Sequence, residues 1–304
     1  AFKVDGLCAA TLTAFNDDFT LNLECVPAQA AELRKSGVMS VFVGGTTGES
    51  YSLTVAERKA LLEAWVAAAG DDISVIAHVG CESVADTKDL AAHAATAGAK
   101  AIGAMPSVFF KPSTMEILIQ WLAEIASAAP SLPLYYYHIA IMTGVNFRMD
   151  RLLEAVDGRI PTFRGIKFTD FDLMQFANCV AFKGGMYDVL YGRDEQMLGA
   201  LAMGATGFVG STYNYMGATY NRLIAAFKAG DMKTALEEQR RSQAGVDLLI
   251  NGKYGDGSNP GKAMLAIKGV PVGPSRLPKQ PLTAAAMAML RADMEAIGFF
   301  EWCD

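Results

Sequence analysis

One lysine stands out by its neighbours. Gly165-Ile166-Lys167-Phe168-Thr169-Asp170 sets Lys167 inside an apolar run, and an ammonium is costly to remove from water. Burial favours the neutral amine of a lysine, and a neutral amine attacks carbonyl carbon. The other reading is a strand-end lysine that reaches out to water, and the local residues leave both open. Tyr135-Tyr136-Tyr137-His138 brings phenolic hydroxyls that could move protons. In a strand Tyr135 and Tyr137 share one face and Tyr136 takes the other, with plain packing as the competing role. Gly44-Gly45-Thr46-Thr47-Gly48-Glu49-Ser50 joins glycines that permit a tight backbone to amides and hydroxyls that can converge on an anion. An ordinary Gly-rich turn is the alternative, and no GK[ST] ending marks a nucleotide loop. Gly192-Arg193-Asp194-Glu195 and Gly210-Ser211-Thr212-Tyr213-Asn214 add carboxylates and hydroxyls. Acidic residues at a helix start can serve only the helix dipole. As a pair, Asp194 and Glu195 could also accept hydrogen bonds from a polyol.

These segments are far apart in the chain, so the fold must gather them. Eight short apolar runs read as strands: Leu7–Leu12, Met39–Val43, Ile73–Val79, Ala101–Met105, Leu132–Ile139, Phe163–Phe168, Asp188–Tyr191 and Thr206–Gly210. They are nearly continuous in hydrophobicity, as parallel strands buried on both faces must be. Helical patterns alternate with them. The first covers Val26–Ser36. One opens on the capping box Thr54-Val55-Ala56-Glu57 and runs to Ala69, one starts at Ser83 and ends near Gly98, and one runs from the Ser113-Thr114 cap to Ala129. Met149–Val156, Leu173–Val180 and Glu195–Met203 complete the set. The alternation predicts an α/β fold, a (β/α)8 TIM barrel, in which chemistry sits at the carboxyl ends of the strands. Each segment above lies at or just past the carboxyl end of an apolar run. An open doubly wound sheet would carry GxGxxG after its first strand, and none is present. After Met216 the pattern turns helical, near Tyr220–Ala229, Met232–Leu249, Gly261–Ile267 and Thr283–Ile297, with Gly269–Pro281 as a wrapping loop. We therefore expect a barrel region over 1–216 and a helical appendage over 217–304 packed on it.

Composition narrows the function classes. The 304 residues are 52% hydrophobic and 19% charged, which suits a large core and not a disordered chain. A formal net charge of −6 disfavours nucleic acid as a partner, since phosphate binding needs a basic surface. Cys8, Cys25, Cys81, Cys179 and Cys303 are odd in number and widely spaced. They fit reduced thiols in a cytoplasmic protein better than a disulfide frame or a zinc site. His78, His93 and His138 are scattered, so no metal centre is expected. Neither a signal segment nor a membrane span is legible.

Taken together, Gly44–Glu49, Tyr135–Gly144, Gly165–Thr169 and Gly192–Asn214 resemble the N-acetylneuraminate lyases of animal type. These belong to the pyruvate-dependent class I aldolase superfamily that also holds dihydrodipicolinate synthase. The likeness runs from Gly6 to about Pro278. It implies reversible cleavage of N-acetylneuraminate (sialic acid) to N-acetylmannosamine and pyruvate. Lys167 matches the lysine that forms the Schiff base, and Tyr137 the tyrosine that relays protons. Thr46 and Thr47 match the pair that holds the carboxylate of pyruvate. Thr169 matches a threonine near the middle carbons of the substrate. Gly192, Asp194, Glu195 and Ser211 match residues that bind its hydroxylated tail, and Gly210 adjoins them. No metal or organic cofactor is implied, and a homotetramer is. Four positions depart from the pattern. Ala140 stands where proline is usual, Ile141 where alanine is usual, and Phe109 and Phe110 where bacterial relatives carry an aromatic hydroxyl. Met142 sits where the synthase branch tends to place arginine for a second carboxylate, a group a thioether cannot bind. Another pyruvate aldolase, or an idle barrel that only binds a keto acid or sialic acid, are the alternatives.

Overall fold

The computed structural model describes residues 2–255 and 257–304. Ala1, counted above in the barrel region, and Asp256, counted in the appendage, lie outside them. Eight strands run β1 Gly6–Ala10, β2 Ser40–Val43, β3 Ser74–His78, β4 Ala101–Ala104, β5 Leu134–His138, β6 Phe163–Phe168, β7 Asp188–Tyr191 and β8 Gly207–Gly210. They close into a barrel in sequence order, with β1 pairing parallel to β8. The fold is thus the (β/α)8 barrel expected from the alternation. Half of the strand ends fall one or two residues inside the apolar runs, where the outermost residues already turn toward the loops.

Alternation along the strands sorts their side chains into two cores. Cys8, Ala10, Phe42, Ile76, Tyr135, Tyr137, Leu190 and Val209 fill the barrel interior. Leu7, Ala9, Val41, Val43, Tyr136, Ile166, Phe168 and Phe208 face outward against the helices. The expected split of Tyr135 and Tyr137 from Tyr136 is what the period of two dictates. Register sets Lys167 beside Tyr137 on one side and Leu190 on the other. Lys167 therefore shares the interior with Tyr137.

The surrounding helices are α1 Val26–Lys35, α2 Val55–Ala69, α3 Val84–Ala97, α4 Met115–Ala128, α5 Ala140–Thr143, α6 Met149–Val156, α7 Leu173–Ala181, α8 Met197–Ala202 and α9 Tyr213–Lys228. Their starts follow local chemistry. Thr54 caps α2 with both halves of the capping box in place, Ser83 caps α3, and Thr114 caps α4. The one-turn α5 was not anticipated; it is stopped by Gly144 at φ 64, a left-handed C-cap.

The C-terminal helices are α10 Met232–Ile250, α11 Ser258–Ile267, α12 Ala284–Ala296 and α13 Phe299–Trp302. The division expected after Met216 falls inside α9, which begins at Tyr213, directly behind β8, and kinks at Met216 (φ −127, ψ 20). Asn214, Tyr215 and Gly217 are weak helix formers, so the helical period fades there. Burial of Tyr213, Tyr215 and Tyr220 supplies what propensity lacks. Among the described residues, no helix is long and apolar enough to cross a membrane.

Candidate active site

The carboxyl ends of the strands gather the candidate residues in two groups. Lys167 is 4% exposed, so it does not reach out to bulk water. Its Nζ lies 3.5 Å from the ring centroid of Tyr137 and 4.7 Å from that of Phe42. Phe42 fills space that a side chain at residue 103 would occupy, since a Cβ on Gly103 would stand 2.6 Å from its ring. The floor under the amine is thus aromatic and closely packed. The buried Tyr137 ring meets Phe42 and His78 edge to face at 5.6 and 5.9 Å. Its hydroxyl lies 3.2 Å from Thr46 Oγ1, which joins strand β5 to the loop after β2.

That loop is pinned from three sides. Gly44 turns at φ +67, and its carbonyl accepts from His78 Nδ1 at 2.9 Å. A carbonyl can only accept, so Nδ1 carries the proton. Burial first, and then the Arg58 guanidinium, hold the His78 imidazole neutral, well below its usual range. Arg58 in turn donates to the carbonyls of His78 at 2.6 Å and Gly80 at 2.9 Å. Thr13, beyond β1, donates to the carbonyl of Gly48 at 2.7 Å. Glu49 adopts a left-handed backbone (φ 56, ψ 40), and its buried carboxylate meets Lys262 Nζ of α11 at 2.6 Å. Thr46 and Thr47 are left half-buried, with amides and hydroxyls beside Tyr137.

The second group lies after β6, β7 and β8. Thr169 is buried, and its amide donates to the carbonyl of His138 at 2.8 Å. Its hydroxyl sits 2.2 Å from where a Cβ on Gly192 would be, so Gly192 lets the two loops touch. Thr169 follows Lys167 by two residues and bridges the groups. Asp194 opens a short 3-10 turn over Asp194–Gln196 ahead of α8. Its Oδ2 accepts from Thr212, from the amide at 3.0 Å and the hydroxyl at 2.6 Å. Oδ1 is buried without a hydrogen-bond partner among the described residues. A Cβ on Gly210 would stand 1.8 Å from that oxygen. Burial pushes the Asp194 carboxyl up to about 6; the Thr212 hydroxyl opposes this and Glu195 adds to it. Gly192, Glu195 and Ser211 remain half-buried.

Several supporting residues escaped the sequence reading. Phe42, Thr13 and Glu49 with Lys262 carry no local signal, because each acts across a long stretch of chain. Gln239 and Gln243 of α10 hold the backbone carbonyls of Asp194 and Glu195 at 3.2 and 2.9 Å. Ile141 and Met142 are exposed on α5, and Phe109 and Phe110 are exposed after β4, packed edge to face at 5.0 Å. No group of three or more His, Cys, Asp or Glu side chains that could hold a metal ion occurs among the described residues.

Known proteins resemble this chain along nearly its whole length. The model of the dihydrodipicolinate synthetase family matches residues 3–297. The chain is 42% identical to the N-acetylneuraminate lyase of Mus musculus over 301 residues, 98% of this chain and 93% of that one. A solved N-acetylneuraminate lyase of Proteus mirabilis superposes with a TM-score of 0.94 at 37% identity, over 98% of this chain and 100% of that one. A sialic acid aldolase of Ruminococcus gnavus, solved as a catalytic lysine mutant, superposes with a TM-score of 0.92 at 26% identity, over 98% of this chain and 97% of that one.

Proposed function

The chain belongs to the dihydrodipicolinate synthetase family, and from that premise we propose how its own residues work. It is a class I aldolase that cleaves N-acetylneuraminate, an oxo-acid lyase. Lys167 supplies the amine. It adds to the C2 carbonyl of the open-chain sugar acid and expels water, and the resulting protonated imine draws electrons from C3. The C4 hydroxyl then gives up its proton and the C3–C4 bond breaks. N-Acetylmannosamine leaves as the free aldehyde, and the enamine of pyruvate stays on Lys167. Protonation at C3 and hydrolysis release pyruvate and restore the amine. The covalent imine does the work of an electron sink, so this reading calls for no metal or organic cofactor.

Tyr137 relays the proton, and Thr46 and Thr47 hold the carboxylate. Thr169 stands near the middle carbons. Gly192 gives backbone access, and Asp194, Glu195 and Ser211 receive the hydroxylated tail. The observation that carries this reading is the buried Lys167 amine over the Tyr137 ring, with the Tyr137 hydroxyl on Thr46. One side chain thereby touches both the amine and the anion loop. The relative from R. gnavus, solved as a catalytic lysine mutant, supports the same assignment.

Borohydride added with pyruvate tests it. A reduced, irreversible adduct should map to the peptide that holds Lys167. Labelling elsewhere, or none, would reject the mechanism. A coupled assay for pyruvate released from a panel of sialic acids and shorter 2-keto-3-deoxy acids tests the substrate. We further infer a cytoplasmic homotetramer. The five cysteines are free, which suits a reducing compartment. Phe109, Phe110, Ile141 and Met142 present apolar surface that a subunit contact would cover. Light scattering of the purified protein checks the assembly.

A further inference from the structure

We propose that Lys262 of α11 is a positioning residue for the carboxylate loop, acting through Glu49 to set the backbone of Thr46 and Thr47. The proposal rests on the reading that this loop receives the carboxylate of pyruvate. Lys262 Nζ stands 2.6 Å from Glu49 Oε1, and both side chains are almost fully buried (4% and 0% exposed). A second bond ties the same ammonium to the carbonyl of Pro274 at 2.8 Å, and the Phe15 ring lies 4.4 Å from it. Glu49 Oε2 also accepts from the amide of Arg276 at 3.1 Å. The C-terminal segment thus grips one carboxylate at both oxygens.

Such a pair is an expensive way to hold two segments together. Desolvation of two charges commonly cancels their attraction, and apolar residues of the same size often stabilise as well. What the pair adds is geometry. Glu49 sits in the left-handed region, which non-glycine residues avoid unless their surroundings enforce it. From there its amide donates to the carbonyl of Thr46 at 3.1 Å, and the amide of Ser50 donates to Gly45 at 3.2 Å. The turn closes on itself, with Thr46 Oγ1 held against the Tyr137 hydroxyl at 3.2 Å. A continuous path therefore leads from Lys262 through Glu49 and Thr46 to Tyr137. The two anchors, Lys262 and Arg276, also flank Phe15 of the loop after β1, at 4.4 and 4.3 Å. On this account the C-terminal helices complete the anion site instead of merely covering the barrel.

The test compares the parent with Lys262→Met, Glu49→Gln and the double variant Lys262→Met/Glu49→Gln. Three quantities are read: the melting temperature, the pyruvate concentration that half-saturates borohydride trapping on Lys167, and KM and kcat for N-acetylneuraminate. Lys262→Met leaves a buried carboxylate without its cation and should lose much stability. The double variant leaves no charge stranded and should melt near the parent. It should still need roughly 10-fold more pyruvate or greater, the scale of a lost charge-assisted hydrogen bond. KM for N-acetylneuraminate should rise in step, with kcat changed by less than about 3-fold, since the group acts on binding and not on bond breaking. Glu49→Gln keeps the shape but leaves the buried Lys262 ammonium without its counter-charge, so it too should melt lower, and with the pair gone it should shift pyruvate saturation in the same direction. Parent-like pyruvate saturation in Glu49→Gln or in the folded double variant would overturn the proposal and leave the pair as a structural tie. Failure of the parent itself to trap pyruvate on Lys167 would instead remove the premise, which separates the two outcomes.

Discussion

Replacing Asp194 by asparagine should make the protein more stable and less active. Its carboxyl is pushed from an ordinary 3.8 up to about 6, chiefly by burial. The folded state therefore binds this proton more tightly than the unfolded state does. Stability from this group is highest at low pH, falls as pH rises through the window between 3.8 and about 6, and stays low above it. The gap corresponds to a cost of about 3 kcal/mol at pH 8, at 1.36 kcal/mol per pH unit. Asparagine has nearly the same shape, and its carbonyl can accept from the Thr212 amide and hydroxyl that now bond Oδ2. Asp194→Asn should thus unfold at higher denaturant at pH 8, by up to about 3 kcal/mol, and should show almost no advantage near pH 4. Activity should move the other way. Losing a charged acceptor for the sugar hydroxyls should lower kcat/KM for N-acetylneuraminate by roughly 10–150-fold, with pyruvate trapping on Lys167 near normal. In the parent, KM should rise as pH drops through about 6, and the variant should lack that rise. Denaturant titrations at the two pH values and a coupled pyruvate assay suffice. A variant no more stable at pH 8, with the parent's pH dependence, would refute the burial argument. Unchanged cleavage would refute the role in the sugar tail.

Tyr137→Phe should lower kcat by roughly 10²–10⁴-fold with a smaller change in KM, as expected of a proton relay, and near-normal turnover would reduce the hydroxyl to packing. Gly192→Ala would put a Cβ 2.2 Å from Thr169 Oγ1. It should cut kcat/KM for N-acetylneuraminate by about 10-fold or more, and adding Thr169→Ala should recover stability but not activity. Thr54→Ala removes the cap of α2, where the hydroxyl accepts from Glu57. It should cost about 1 kcal/mol in denaturant unfolding and leave the kinetics alone.

The sequence determined what depends on near neighbours. The bounds of strands β6 and β7 were readable residue for residue, because parallel strands buried on both faces are largely apolar and stop where polar loops begin. The capping box at Thr54 was readable because its two halves lie within one helical turn. Period two separated Tyr137 from Tyr136, and the ends of the apolar runs located Lys167, Thr169, Asp194 and Ser211. The start of α9 was not legible: a run of asparagine, tyrosine and glycine favours no helix until Tyr213 and Tyr215 are packed away. The same holds for every relation across the barrel. Nothing local says that Lys262 meets Glu49, that His78 holds the carbonyl of Gly44, or that Phe42 fills the space beside Gly103. The environment of Asp194 is a product of burial beside Thr212 and over Gly210, and the chain written as letters contains no burial. Periodicity and capping are short-range effects that a linear sequence displays. Closing eight strands into a ring juxtaposes distant segments and removes their water, and those two events alone decide contacts, charge states and the shape of the site.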